Sequence, residues 1–135
     1  MVFSESKSRE DVYIQRKPIQ DREVGRFIDI LKDSIEFFIP ICKEIGSKSD
    51  IKAAVKQISR IDVDAVVLLT PIFVSPALVA YAAILMNKPM VIMGNNALDS
   101  FSQLSLLAAG GAADQSGAKC RRIPGDISDS QVKDE

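Results

Sequence analysis

The sequence contains no histidine. Histidine is the side chain that most readily exchanges a proton near neutral pH and the most common metal ligand, so a Ser-His-Asp or Cys-His triad cannot form within this chain. The two cysteines, Cys42 and Cys120, lie far apart and lack metal-ligand or redox spacing. We expect both to be reduced, buried thiols of an intracellular protein. Any chemistry of this chain alone would depend on carboxylates or lysines.

A strong excess of positive charge is also missing, since 17 basic residues face 18 acidic ones. The basic residues cluster only around 119–122, which is too little for a nucleic-acid interface, so we expect no nucleic-acid partner. The glycine-rich patterns that hold phosphates are absent as well, and Gly117 and the pair at 110–111 suit helix ends better. The segment "SESKS" at residues 4–8 leaves a flavin or nucleotide site open as a minor alternative.

The chain has no uninterrupted apolar run long enough to span a membrane. Residues 65–93 are the most apolar, but Pro71, Pro76, Lys88 and Pro89 divide them into pieces shorter than a span of about 20 residues. The first residues, "MVFSESKSRED", carry charges where a secretory signal needs an apolar run. We therefore expect a cytoplasmic location and no membrane partner.

What the sequence does contain is enough apolar residues, 47%, for one packed domain. We assign residues 1–126 to that domain, and the polar residues 127–135 to a tail or the start of a linker. Apolar spacing of three and four residues predicts helices over residues 21–34, 51–58, 76–87, and from 100 to a glycine at 110–111 or 117. Short apolar runs predict strands over residues 1–3, 37–41, 65–69, 90–93 and 119–123.

Several helix starts carry recognisable capping residues. Ser49 or Asp50 can cap the second helix, Ser75 precedes a proline at the first position of the third, and Ser100 has capping-box spacing to Gln103. Strands that alternate with helices in this way predict an α/β three-layer sandwich. We expect a parallel sheet of four to five strands with flavodoxin-like topology.

Ligands of such sheets bind where the carboxyl ends of the strands meet the loops that follow them. Polar loops follow three of the predicted strands, and their neutral donors and acceptors suit a hydroxyl-rich molecule. The predicted substrate-binding residues are Arg9, Thr70, Ser75, Asn95, Asn96 and Asp99. The alternative is structural, because asparagine tolerates left-handed backbone and Asp99 or Ser100 can cap a helix.

The segments "IDVDAVVLLTPIFVSPALVAYAAILMNKPMVIMGNN" and "LLAAGGAADQSGAKCRRIPGD" resemble the Rossmann-like amino-terminal domain of the L-fucose and L-arabinose isomerase family. The likeness lies in the Asp-Ala-Val strand, the Ser-Pro helix start, the Lys-Pro turn and the pair of asparagines. This resemblance implies an intracellular aldose-ketose isomerase. It also implies Mn²⁺, held by Glu, Asp and His of later domains.

A chain without histidine, and far shorter than a complete isomerase, is expected to be inactive alone, with no catalytic residue, metal or other cofactor. The resemblance then implies a role in homo-oligomer assembly, with a small sugar or polyol as a possible ligand. The alternative is a stand-alone structural or interaction module of flavodoxin-like fold. Residues 77–86 favour that alternative because they are apolar nearly all round the helix.

Overall fold

Three short parallel strands form the centre of the molecule, with helices packed on both of their faces. The computed structural model describes residues 1–6, 9–37, 44–86, 88–126 and 128. Its elements, in chain order, are α1 (Glu10–Leu31), α2 (Lys48–Ile58), β1 (Val66–Leu69), α3 (Pro76–Leu85), β2 (Met90–Met93), α4 (Ser102–Gln115) and β3 (Arg121–Ile123). The chain is therefore an α/β domain, as the sequence predicts.

The strands lie in the order β1-β2-β3, and every pairing is parallel. Val66 pairs with Met90 and Val91 with Arg121, so the strand ends are level. Two isolated parallel bridges adjoin this sheet, from Val2 to Leu69 and from Phe3 to Ile45. The predicted strand over 119–123 begins at residue 121, and of the one predicted over 37–41 all but Phe37 lies outside the described residues.

The start of α1 differs most from the prediction, since the helix begins at Glu10 and not near residue 21. It continues through Pro18, which removes one backbone donor and ordinarily costs about 3 kcal/mol in a helix interior. Contacts of the first half offset this cost: the Tyr13 hydroxyl donates to Glu44 Oε2 at 2.7 Å, and Lys17 Nζ lies 2.9 Å from Glu44 Oε1. A proline that signals a break in the sequence therefore lies inside a helix.

The other helices start and end close to their predicted bounds, with different caps. Ser47, and not Ser49 or Asp50, caps α2, because its hydroxyl accepts from the Asp50 N–H at 3.3 Å. The helix α3 starts at Pro76 as predicted, and it ends at Leu85. The helix α4 passes through residues 110–111 and stops before Gly117, whose φ of 74° suits a residue just beyond a helix end.

Side chains alternate between two apolar clusters along each strand. One cluster packs the β1 and β2 residues Val66, Leu68, Met90 and Ile92 against α2, α3 and α4. The second packs Leu69, Met93 and Ile123 against Phe27 of α1. Three helices thus share a cluster with one face of the sheet and α1 with the other. Within the described residues, no helix combines the length and apolar character that crossing a bilayer requires.

Candidate functional site

The polar loops after β1 and β2 meet at the carboxyl ends of the strands, as the parallel arrangement requires. The backbone N–H of Asn95 donates to Ser102 Oγ at 2.7 Å, and the Ser102 hydroxyl donates to the Thr70 carbonyl at 2.6 Å. The Thr70 hydroxyl in turn donates to the Met93 carbonyl at 3.0 Å. The first turn of α4 therefore joins the two strand ends.

Both polar atoms of the Asn95 side chain take part in this network. Its Nδ2 donates to the Pro71 carbonyl at 2.9 Å, and its Oδ1 accepts from the Ala97 N–H at 2.9 Å and the Ser100 hydroxyl at 2.8 Å. In the described part of the chain, every buried side-chain nitrogen and oxygen has a hydrogen-bond partner. Satisfied polar groups of this kind hold the loops in one arrangement.

Little space remains beside this network. The cavity at the strand ends measures about 10 Å³, which is room for a single water molecule. Gly94 contributes to the close packing, since a Cβ there would lie 2.7 Å from Ser102 Oγ. A sugar would need these loops to open.

The remaining predicted site residues lie outside the network or at its edge. Asn96 is exposed and its Oδ1 accepts from Gln103 Nε2 at 2.9 Å, whereas a capping box would direct Gln103 to the Ser100 backbone. Ser75 is exposed at the start of α3, and its side chain makes no capping bond. Arg9 precedes α1 and lies 3.8 Å from Glu5. Among the described residues, no hydrogen bond or ion pair joins Arg9 or Ser75 to Thr70 or Asn95.

Asp99 is bound by α1. Arg22 donates to both carboxylate oxygens of Asp99, the shortest bond being 2.9 Å, and this hydrogen bonding lowers the pKa of Asp99 below its usual value. Both side chains are about half exposed. The sequence suggests a ligand acceptor or a helix cap at Asp99, but here its carboxylate links α1 to the turn before α4.

A second charged contact at the strand ends was not predicted. Arg26 Nη1 lies 2.7 Å from Asp126 Oδ2, and Glu23, which is buried, lies 2.8 Å from Arg22 Nε. Burial alone would raise the pKa of Asp126, but hydrogen bonds from Ser128 and Arg26 outweigh it and lower the pKa. Arg22 and Arg26 are four residues apart on one helix face, and both lie within the predicted helix 21–34, but this spacing does not identify their distant partners Asp99 and Asp126.

Ser102 and Ser105 were also missed as structural residues. They lie three residues apart on the buried face of α4, with Leu106 and Ala109. Ser105 Oγ accepts from the Val74 N–H at 3.2 Å, so both serines hold the loop after β1. The available signal was that both serines share a helix face with apolar residues, a position at which a polar side chain needs a hydrogen-bond partner.

The outer surfaces of the helices differ sharply in charge. Within α1, six of the nine exposed residues are charged, while across α3 and α4 one of the seven is charged, Asp114. Instead, α3, α4 and the turn before α4 expose large apolar side chains. We name these residues the α3–α4 surface: Ile84, Leu85, Leu98, Phe101, Leu104 and Leu107.

Phe101 is the least usual residue of this surface. Its φ of 53° and ψ of 24° place an aromatic residue in the left-handed region, which costs about 1–2 kcal/mol for a side chain of this kind. Its ring is 54% exposed, with the Arg16 guanidinium 5.5 Å from the ring centroid. The fold therefore maintains a strained backbone that presents an aromatic ring to solvent.

The described residues contain no group of three or more His, Cys, Asp or Glu arranged to hold a metal ion. Cys120 is a free, partly buried thiol whose pKa is raised by burial and by Asp114. Comparison of the chain with protein-family models, curated proteins and solved structures finds no significant match to any of them.

Proposed function

We propose that this chain is an assembly domain, whose role is to contact a second copy of itself through the α3–α4 surface. The observation that carries the proposal is the near absence of charge among the exposed residues of α3 and α4, from which isoleucine and leucine side chains project. Depletion of charge and exposure of large apolar side chains are typical of the cores of protein interfaces.

A second copy suits this surface better than a charged partner. A charged group placed against Leu104 or Leu107 would lose its hydration without gaining an ion pair, which is unfavourable. The best partner for the α3–α4 surface is another apolar surface without charge. A second copy of the chain presents such a surface, namely its own α3–α4 surface. A two-fold contact, in which the same surface meets itself, is also the most common form of protein association.

The proposed topology is that of a flavodoxin-like domain. The bridges from Val2 to Leu69 and from Phe3 to Ile45 would extend the sheet by two short strands beyond β1. The spatial order by chain position would then be 2-1-3-4-5, which is the flavodoxin-like order. This order agrees with the resemblance to the amino-terminal domain of the sugar isomerase family, for which a role in oligomer assembly is implied.

Under this proposal the chain contributes contact and no catalysis. Sugar binding by the strand-end residues remains a separate prediction, and the closed network around Asn95 gives it no support. Calorimetric titration with aldoses and ketoses tests it directly. Isomerase assays of the chain alone should give no turnover.

The assembly proposal is tested by placing charge on the surface. The double substitution Leu104→Asp and Leu107→Asp should convert a dimer to a monomer in size-exclusion chromatography with light scattering, since two desolvated carboxylates per copy would oppose association. Ile14→Asp is the matched control, because Ile14 is 61% exposed on the charged helix α1. The control should remain dimeric.

Two results would contradict the proposal. The first is a wild-type chain that remains monomeric throughout the micromolar range. The second is dissociation of the dimer by Ile14→Asp as readily as by the double substitution. Circular dichroism of each variant should show the wild-type helix content, which separates dissociation from unfolding.

A further inference from the structure

A cavity of about 540 Å³ lies between the second half of α1, β1 and the turn at 61–65. Its walls are mainly apolar and include Val24 and Ile28 of α1, and Val67 and Leu69 of β1. Sites for small organic ligands measure roughly 300–1,000 Å³ and have walls of this kind. The cavity is thus large enough for one such molecule.

This cavity leaves apolar surface of the sheet uncovered. Val67 lies in the middle of β1, yet it is only half-buried, whereas its neighbour Leu68 on the opposite face is completely buried. Parallel sheets ordinarily have both faces covered. An apolar ligand body in the cavity would cover Val67 in the way that a further helix would.

Among the described residues, the charged side chains that line the cavity are all acidic. Glu36, Asp62 and Asp64 line it and are exposed, so their carboxylates lie at its rim, and no lysine or arginine lines it among the described residues. Lys88, which is not part of the lining, lies 3.6 Å from Asp62. The Met1 amino group, which also lines the cavity, donates to the Val67 carbonyl, and burial lowers its pKa.

We propose that this cavity binds a small amphipathic cation, with an alkyl or aromatic body against Val67 and Leu69 and an ammonium group at the carboxylates of Glu36 and Asp64. The inference is independent of the assembly proposal, because no described residue of α3 or α4 lines the cavity. Charge complementarity selects the cation over an anion of the same shape.

The experiment uses decyltrimethylammonium, with decyl sulfate as the probe of opposite charge and decanol as the neutral one, all below their aggregation concentrations. Calorimetric titration of the full chain should show saturable binding of the cation, and binding of decyl sulfate at least about tenfold weaker. Methyl NMR should show shifts of Val24, Ile28 and Val67. Equal binding of cation and anion, or shifts confined to Leu104 and Leu107, would overturn the proposal.

Two variants separate the apolar and the charged parts of the site. Val67→Phe should fill the cavity and reduce affinity for the cation and for decanol by about tenfold or more. The double substitution Glu36→Gln and Asp64→Asn should lower the affinity for the cation about three- to tenfold and leave the affinity for decanol unchanged. The matched charge control is Asp11→Asn with Asp29→Asn, which lie on α1 away from the cavity lining.

Thermal unfolding of each variant shows whether it remains folded. A folded Val67→Phe variant that binds the cation as tightly as the wild type would overturn the proposal. The proposal would also be overturned if the control substitutions at Asp11 and Asp29 lowered the affinity for the cation as much as the substitutions at Glu36 and Asp64. The cation would then be attracted by the net charge of the protein alone.

Discussion

The helix α1 and the α3–α4 pair lie on opposite faces of one sheet, and they are held by different forces. The helix α1 packs Phe27 and its half-buried apolar neighbours on the sheet, and polar contacts link it to distant segments of the chain: Tyr13 and Lys17 to Glu44, Arg22 to Asp99, and Arg26 to Asp126. The α3–α4 pair is held by close packing of small residues, and five of its ten buried residues are alanine, such as Ala82 and Ala109.

The outer surfaces follow the same division. The charged residues of α1 face solvent or form ion pairs, so the outer surface of this helix needs no further partner. The α3–α4 surface exposes Leu104 at 56% and Leu107 at 63%, on a helix that carries one exposed charge. A helix that is apolar on both sides is ordinarily buried on both sides, which is why we assign the contact with a second copy to this pair.

Truncating one leucine on each side of the sheet should give the largest contrast. Leu106→Ala, in the tightly packed α4, should lower the free energy of unfolding by about 2–5 kcal/mol. Leu31→Ala, at the half-buried end of α1, should cost about 1 kcal/mol, because less apolar surface is removed from packing. Urea unfolding of both variants measures the difference, and equal costs would show that α1 is packed as tightly as α4.

The attachment of α1 should be sensitive to acid through Asp126. Its pKa is lowered in the folded chain, so the folded state binds fewer protons than the unfolded state just below the usual Asp pKa of about 3.9. The stabilisation is therefore complete above about pH 4 and is lost as the pH falls through the folded pKa. Asp126→Asn should lower the free energy of unfolding by about 1–3 kcal/mol at pH 7. It should also flatten the acid limb, which is the fall in the free energy of unfolding below about pH 4, when urea unfolding is measured at several pH values.

A control for this effect is Asp29→Asn, since Asp29 is 74% exposed on α1 and its ion pair is with Lys32. This control should leave the acid limb as in the wild type. An unchanged limb in Asp126→Asn would show that the Arg26 contact does not fasten α1 to the strand ends.

The strain at Phe101 allows the stability of one copy to be separated from association. Phe101→Gly should relieve the strain of the left-handed backbone conformation. The free energy of unfolding of a single copy should then rise by up to about 1 kcal/mol. The same substitution removes an exposed aromatic ring and should weaken the dimer. A more stable single copy together with a dimer that dissociates more readily would support the comparison of the two surfaces. A less stable copy with unchanged dissociation of the dimer would contradict it.

The smallest effect is expected at the exposed ion pair between Arg22 and Asp99. Arg22→Ala should cost less than about 1 kcal/mol, because pairs in contact with water gain little and are screened by salt. The loss should shrink further when unfolding is measured at high ionic strength. A larger, salt-independent loss would mean that Arg22 acts mainly through the buried Glu23.

The elements that the sequence predicts best are those with a local signal. The continuous apolar runs of β1 and β2 and the Ser-Pro start of α3 fix their positions within about one residue, because burial on both faces leaves few alternatives. The predicted start of α1 was wrong because the prediction followed the apolar spacing, which begins at Val24, whereas the first half of the helix contains Pro18 and contacts the distant Glu44. Long-range compensation of that kind cannot be identified from neighbouring residues.

The strand-end site shows the same limit. The sequence correctly predicts that Thr70 and Asn95 come together at one edge of a parallel sheet. It does not indicate that Ser102, from the next helix, accepts from one and donates to the other. Whether polar groups at a strand end face a ligand or each other depends on the exact distance between loops, which composition and spacing do not specify.

The central claim is that two copies associate through the α3–α4 surface. The most direct test measures which side chains lose contact with solvent when the copies associate. Methyl NMR with a soluble paramagnetic agent should show Leu98, Leu104 and Leu107 losing solvent exposure as protein concentration rises, while Ile14 on α1 stays exposed. Exposure of these leucine methyls that is independent of concentration, or protection of Ile14 in their place, would contradict the account.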